Sequence, residues 1–365
     1  MTSKRLVRPI FLLVYLVSSL GAQLGCEEQL EDQTSCTQMS IPVVLEEGAT
    51  QTFQLKGELC WTGELKSKTT QVLLHGAGYG PIYWDFTYKP ETYSYVRAAL
   101  NRGYAVFNFA RLGVEKSDIP PATELTIERD AFIVHQIIEA LRAYGQEAQQ
   151  PLGDIITVGH SMGSIITMVH GIEYPDDIAG MILTGFIHHV NGDYVRANIA
   201  SQVKAEEDPR FEDRDLGEGY ISSSPETRAA FYEARQAEQE VIDRDYETRE
   251  PVSLTEIFGI QKYYGEGAER LTRPIFQVIG DQDFIGCGTS LADVTLECTQ
   301  VDVVIAQERS RFPAETCLET EVIPDAGHVL NLQRQAPTIY QKMHDWLDRR
   351  IGVDAETEPT EPCVP

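Results

Sequence analysis

The chain has 365 residues, 42% hydrophobic and 24% charged, a composition that excludes disordered and fibrous classes and allows one large α/β domain or two smaller ones. With 56 acidic residues against 30 basic ones, the formal charge is −26. Such a surface repels phosphate backbones and anionic membranes, so nucleic acid is not the expected partner.

Residues 1–22 read as a signal peptide. Lys4, Arg5 and Arg8 precede an apolar stretch from Ile10 to Val17 and then small residues, with cleavage after Gly21 or after Ala22. An uncleaved signal anchor is one alternative. A lipoprotein modified at Cys26 is another, although Gln23 stands where such signals usually carry Leu. The leader holds no acid, so its removal takes the net charge to −29. No run of 18 or more apolar residues follows residue 25, and no further membrane span is expected. The seven cysteines are Cys26, Cys36, Cys60, Cys287, Cys298, Cys317 and Cys363. In a secreted or extracytoplasmic protein they would be oxidised. Cys36–Cys60 and Cys287–Cys298 are candidate bridges; the connectivity stays open, and the odd count leaves one thiol over.

Along the chain, residues 23–40 are polar and are expected to be loose. Segments 41–46 and 51–61 show partial alternation and suit antiparallel strands. Short apolar runs at 72–76, 104–110, 155–159 and 178–186 suit buried parallel strands. Helical stretches lie between them at 92–101, 125–144 and 161–172. This alternation predicts a mostly parallel central sheet flanked by helices, with a first core part over 41–187. The rhythm stops near residue 188. Segment 188–270 is acidic and is expected to form a helical cap, with one helix opened by Ser224-Pro225-Glu226 and running to about Arg249. A second core part over 271–350 follows, with strands at 274–280 and 317–323 and a last helix within 331–350 that Pro337 delays. The tail, 351–365, is acidic and expected to be disordered apart from Cys363.

Gly159-His160-Ser161-Met162-Gly163 is a G-x-S-x-G sequence between an apolar strand and a helix, the context of a nucleophile elbow. Ser161 must occupy strained dihedrals on a sharp turn. Side chains two residues to either side would collide, which accounts for Gly159 and Gly163. A serine nucleophile needs a base and an orienting acid, in the chain order Ser, acid, His. His328, in Asp325-Ala326-Gly327-His328, is the candidate base; His344 competes but falls inside the last helix. Asp283, three residues past the glycine ending strand 274–280, is the candidate acid. Asp281 and Asp193 are the alternatives. His75-Gly76-Ala77-Gly78 follows the first buried strand and can supply an oxyanion-binding amide from Ala77, or from Gly78, beside that of Met162. A dinucleotide-binding turn fails at Gly80 and Pro81. A calcium loop fails at Ile285. His188-His189 lacks zinc-motif partners and reads as a partly exposed base of the cap.

These motifs arrive in the order of the α/β-hydrolase superfamily, which the chain resembles over about residues 41–350, in the serine esterase and lipase group. The resemblance implies the α/β-hydrolase fold with a variable cap. It departs at Ala110-Arg111-Leu112-Gly113-Val114-Glu115-Lys116-Ser117, where related chains often carry D-x-x-G-x-G-x-S. A nucleophilic serine separates the chain from the dehalogenases and epoxide hydrolases of similar fold, which use Asp. The expectation is therefore an exported serine hydrolase acting on a small-molecule ester, with Ser161, Asp283 and His328 as triad, Ala77 and Met162 as oxyanion hole, and no cofactor or metal. Amide or lactone cleavage and a non-catalytic binding protein are the alternatives.

Overall fold

The computed structural model describes residues 34–361 and 363. The expected signal peptide and Cys26 lie outside the described residues.

Eight strands form one sheet. In chain order they begin with β1 (Thr34–Val43), β2 (Phe53–Thr62), β3 (Thr70–Leu74), β4 (Ala105–Ala110), β5 (Ile155–His160) and β6 (Gly180–Thr184). Three short strands then lie in the 188–270 segment: β7 (Gln202–Lys204), β8 (Tyr220–Ser223) and β9 (Val252–Ser253). β10 (Ile275–Gly280), a two-strand hairpin of β11 (Gly288–Thr289) and β12 (Thr295–Leu296), and β13 (Leu318–Ile323) complete the set. The central sheet runs β1-β2-β4-β3-β5-β6-β10-β13. β1, β2 and β4 pair antiparallel; the remaining pairs are parallel. This is the α/β-hydrolase fold. β3, β5, β6 and β10 are buried throughout, as strands covered on both faces must be. β2 alternates buried and half-buried positions, as befits a strand near the edge.

Helices follow their local signals. Thr126 caps the helix Ile127–Glu147 by accepting from the Arg129 amide at 3.2 Å. Pro337 occupies the first turn of Ala336–Arg350, where its missing N–H is no loss.

Three expectations need correction. Residues 34–40 are not loose but pair with β2, from Thr34 opposite Thr62 to Ser40 opposite Lys56. They form the outermost strand of the sheet, where one side is exposed and the other is only half-buried at Thr37 and Met39, so the apolar alternation is weak. The predicted helix from 225 to 249 is broken into Pro225–Ala229 and Gln239–Glu247. Between them, Phe231 turns down to accept hydrogen bonds from the amides of His328 (2.8 Å) and Val329 (3.3 Å). The 188–270 segment also carries the β7-β8-β9 sheet beside its helices. Finally, the tail is tied down. The Ala355 amide donates to Ser67 (2.9 Å), Glu361 pairs with Arg349 (3.0 Å), and Cys363 bonds Cys317.

The other disulfides are Cys36–Cys60 and Cys287–Cys298, so all six described cysteines are paired. Titration of the denatured, unreduced protein should find at most one free thiol, from Cys26. Three or more would contradict the pairing. No helix among the described residues is long and apolar enough to cross a membrane.

Candidate active site

The carboxyl ends of β3, β5, β10 and β13 converge, the edge at which open α/β sheets place their ligands. Ser161 stands between β5 and the helix Met162–Glu173 at φ 54°, ψ −119°, a conformation L-residues hold only when the surroundings impose it. Its amide donates to the Thr184 carbonyl at 2.8 Å. A β-carbon on Gly159 would lie 2.4 Å from the Gly163 carbonyl oxygen, and one on Gly163 would lie 2.2 Å from that of Leu74. The tight turn thus excludes side chains at both glycines, for the reason the motif implies.

His328 and Asp283 are both buried, and His328 Nδ1 lies 2.9 Å from Asp283 Oδ2. Asp283 Oδ1 accepts from the amides of Ile285 (2.8 Å) and Gly286 (3.2 Å). Its carboxylate is therefore held on both oxygens. The Asp281 amide donates to Ile323, which places that residue in the turn. Asp193 is exposed and pairs with Arg196 at 2.7 Å. Of the three carboxylates weighed from the sequence, only Asp283 contacts His328 among the described residues.

The His160 ring, next to Ser161, lies with its centroid 4.8 Å from that of His328 and 4.2 Å from that of Tyr83, stacked on the latter. Burial, reinforced by His328, holds its imidazole well below the usual histidine range, so it packs as a neutral ring. Gly76 passes close beneath the elbow: a β-carbon there would lie 3.2 Å from that of Ser161. His75 Nε2 accepts from the Arg111 amide at 3.3 Å, and its Nδ1 lies 3.1 Å from the Gly76 carbonyl oxygen. Burial and Arg111 hold this imidazole low as well. His75 therefore braces the loop that carries Ala77 and Gly78. Neither the Ala77 nor the Met162 amide donates a hydrogen bond among the described residues, and the Met162 amide opens a helix, where the dipole favours negative charge.

His188-His189 is corrected. Both residues are buried. His188 Nδ1 lies 2.8 Å from Glu308, which also accepts from Gln277 at 2.8 Å. His189 Nε2 lies 2.9 Å from the Gly288 carbonyl oxygen. They join the 188–270 segment to the second core part instead of standing as a cap base. The contact spans 120 residues, so no local pattern announces it. Arg111, in the departing loop, is buried and bonded to Glu256, with Asp130 3.5 Å away. An arginine there takes its counter-ions from the cap segment and the helix Ile127–Glu147.

Residues of the 188–270 segment also wall the site, and Arg228 among them was not singled out from the sequence. Phe231 faces His328 with ring centroids 5.4 Å apart. Tyr232 donates to Asp245 at 2.9 Å, and Arg228 reaches back 150 residues to the Gly78 carbonyl at 2.7 Å.

The competing His344 lies in the helix Ala336–Arg350, stacked on the rings of Tyr95 and Tyr104. Burial, with Arg102 nearby, lowers it to about 3. A histidine depressed in the native state binds its proton more readily when unfolded. Its stabilising contribution is whole above about 6.5 and is lost as pH falls towards 3. His75 and His160 act in the same sense. The thermal midpoint should therefore fall steadily between pH 7 and pH 4. His344→Phe, at a position whose Nε2 has no partner among the described residues, should flatten that slope. Equal slopes in the two proteins would contradict the assignment.

A family model described as Alpha/beta hydrolase family matches residues 71–339. Over 158 residues the chain is 25% identical to the 1-acylglycerol-3-phosphate O-acyltransferase ABHD5 of Rattus norvegicus, a match spanning 43% of this chain and 39% of that relative. The Mus musculus protein of the same name matches equally. Among solved structures, the monoacylglycerol lipase of Paleococcus ferrophilus superposes with a TM-score of 0.53 at 14% identity, over 80% of this chain and 98% of that one. The carboxylesterase CesB of Bacillus subtilis gives 0.56 at 14% identity, over 91% and 99%. At these identities the solved structures speak for the architecture alone.

Proposed function

The chain belongs to the alpha/beta hydrolase family, and from that premise we propose that it is an exported serine hydrolase cleaving a carboxylic ester of a small or lipid-like substrate. The observation that carries this reading is the buried His328–Asp283 hydrogen bond at the same sheet edge as the strained Ser161 turn. Six paired cysteines support export.

Ser161 Oγ attacks the ester carbonyl while His328 Nε2 takes its proton. The developing oxyanion lies between the Ala77 and Met162 amides. The tetrahedral intermediate collapses, the alcohol leaves with the proton from His328, and an acyl-Ser161 ester remains. Water then attacks, again giving a proton to His328. The acid departs and Ser161 regains its hydrogen. Asp283 holds the imidazole in the required tautomer and offsets its charge in both halves. The same acyl-enzyme would serve an amide or a lactone, so bond type is decided by a substrate panel.

The test is labelling with a fluorophosphonate followed by peptide mass spectrometry. The adduct should fall on Ser161 at close to one per chain, and matched esters should be turned over faster than amides. An adduct on another serine, or none, would overturn the reading.

A further inference from the structure

The loop Ala77–Gly78 and the 188–270 segment enclose a cavity of about 50 Å³, lined by Tyr194, Thr227, Arg228 and Phe231 among others. Arg228 is the unusual member. It is 1% exposed, and its guanidinium carbon sits 3.9 Å from the centroid of the Tyr79 ring. One nitrogen, Nη2, donates to the Gly78 carbonyl at 2.7 Å and lies 3.5 Å from Asp245. The other two, Nε and Nη1, have no hydrogen-bond partner among the described residues, and neither has the buried Oγ of Ser223, which lines the same cavity. Nη1 is 3.8 Å from the point where a Gly78 side chain would begin, beside the loop that carries the Ala77 amide.

Bracing Gly78 occupies one nitrogen of the fork. Burying the rest of a guanidinium with donors unmet costs free energy. Both edges of a guanidinium that can grip a carboxylate with two N–H groups include Nη2, so Nε and Nη1, on different edges, each offer a single N–H to an anion's oxygen. The surrounding charges permit it. Asp245 is turned in part to the Tyr232 hydroxyl, and burial pushes its carboxyl up, against the pull of Arg228. Burial pulls the Arg228 guanidinium down, but Asp245 and Tyr79 more than offset this, so it stays protonated. Asp245 lies outside the cavity lining, and the carboxylate that does line it, Glu250, is held by Arg214 at 2.6 Å and Arg210 at 3.2 Å. Arg228 is thus the cation on the cavity wall, and the wall's carboxylate, Glu250, is already neutralised from outside it. The volume suits a carboxylate on a short linker.

We propose that Arg228 is the anion-recognition group of this cavity, and that the substrate is an ester carrying a second, free carboxylate a few bonds from the scissile carbonyl. The proposal rests on the reading of Ser161 as nucleophile. Arg228 is a specificity residue in it, with the proton transfers left to His328.

The test compares monoethyl succinate with ethyl succinamate, which differ only in carboxylate against carboxamide. The wild type should prefer the carboxylate by about 10-fold or more in kcat/KM, and Arg228→Gln should bring the ratio close to one. A brace for Gly78 alone would slow both esters equally and leave the ratio unmoved. Should Arg228→Gln not fold, protection of the wild type replaces it: succinate should slow fluorophosphonate labelling of Ser161 and succinamide should not. A wild-type ratio of one or below, or equal protection by both compounds, overturns the carboxylate proposal while labelling of Ser161 keeps the hydrolase reading. If Ser161 is not labelled and neither ester is cleaved, the hydrolase reading falls and takes this proposal with it.

Discussion

Ser161→Ala should lower kcat by about 10⁴–10⁶-fold while the thermal midpoint stays within a degree or two of the wild type. The two halves of that expectation have separate causes. The Ser161 side chain makes no capping hydrogen bond to its helix, so removing the hydroxyl deletes no structural bond. Alanine keeps the β-carbon and meets the same strain at φ 54°. The loss in rate should not be total, because the Ala77 and Met162 amides would still stabilise charge on a carbonyl attacked by water. Single-turnover and steady-state rates on the best ester of a panel, with a melting curve on the same preparation, measure both halves. A fall of less than about 10-fold would move the nucleophile away from Ser161.

Asp283→Asn should cost about 10³–10⁴-fold in kcat. The substitution is a clean probe here. An asparagine oxygen in place of Oδ1 can still accept from the amides of Ile285 and Gly286, so the loop keeps its shape. The new amide group would face His328 Nδ1 with a donor where the carboxylate offered an acceptor. The imidazole would then take the tautomer that carries its proton on Nε2, which cannot deprotonate Ser161, and an imidazolium would lack its counter-charge. Asp281→Asn, in the turn, and Asp193→Asn, at an exposed position paired with Arg196, should each change kcat by less than about threefold. Steady-state kinetics on the three variants separates them. A large loss in Asp193→Asn with little in Asp283→Asn would reassign the acid.

The alternation of apolar runs with helical stretches, and the elbow at Ser161, could be read from the residues alone. Both are local. A buried parallel strand needs an unbroken apolar run, and a sharp strand-to-helix turn needs glycine two residues to either side, where a β-carbon would strike the Gly163 or Leu74 carbonyl oxygens. The position of Asp283 three residues beyond the end of β10 follows from the same reasoning, since strand ends at one sheet edge face one another. The residues misread are those whose state depends on a distant partner. Thr34–Ser40 is a strand because β2 and the Cys36–Cys60 bond hold it. The tail is ordered because Cys363 reaches Cys317 and Glu361 reaches Arg349. The helix opened at Ser224 stops early because Phe231 must meet the His328 loop.

By itself, then, the sequence determined the parallel core of the sheet and the strained turn at Ser161, because each is written in spacings of a few residues. Only the tertiary structure decided which polar groups face one another. Arg228 lies beside Gly78, Glu308 under His188 and Glu256 against Arg111 at separations of 150, 120 and 145 residues. An electrostatic pairing depends on distance in space, and a charged side chain carries no periodicity along the chain that would reveal its partner.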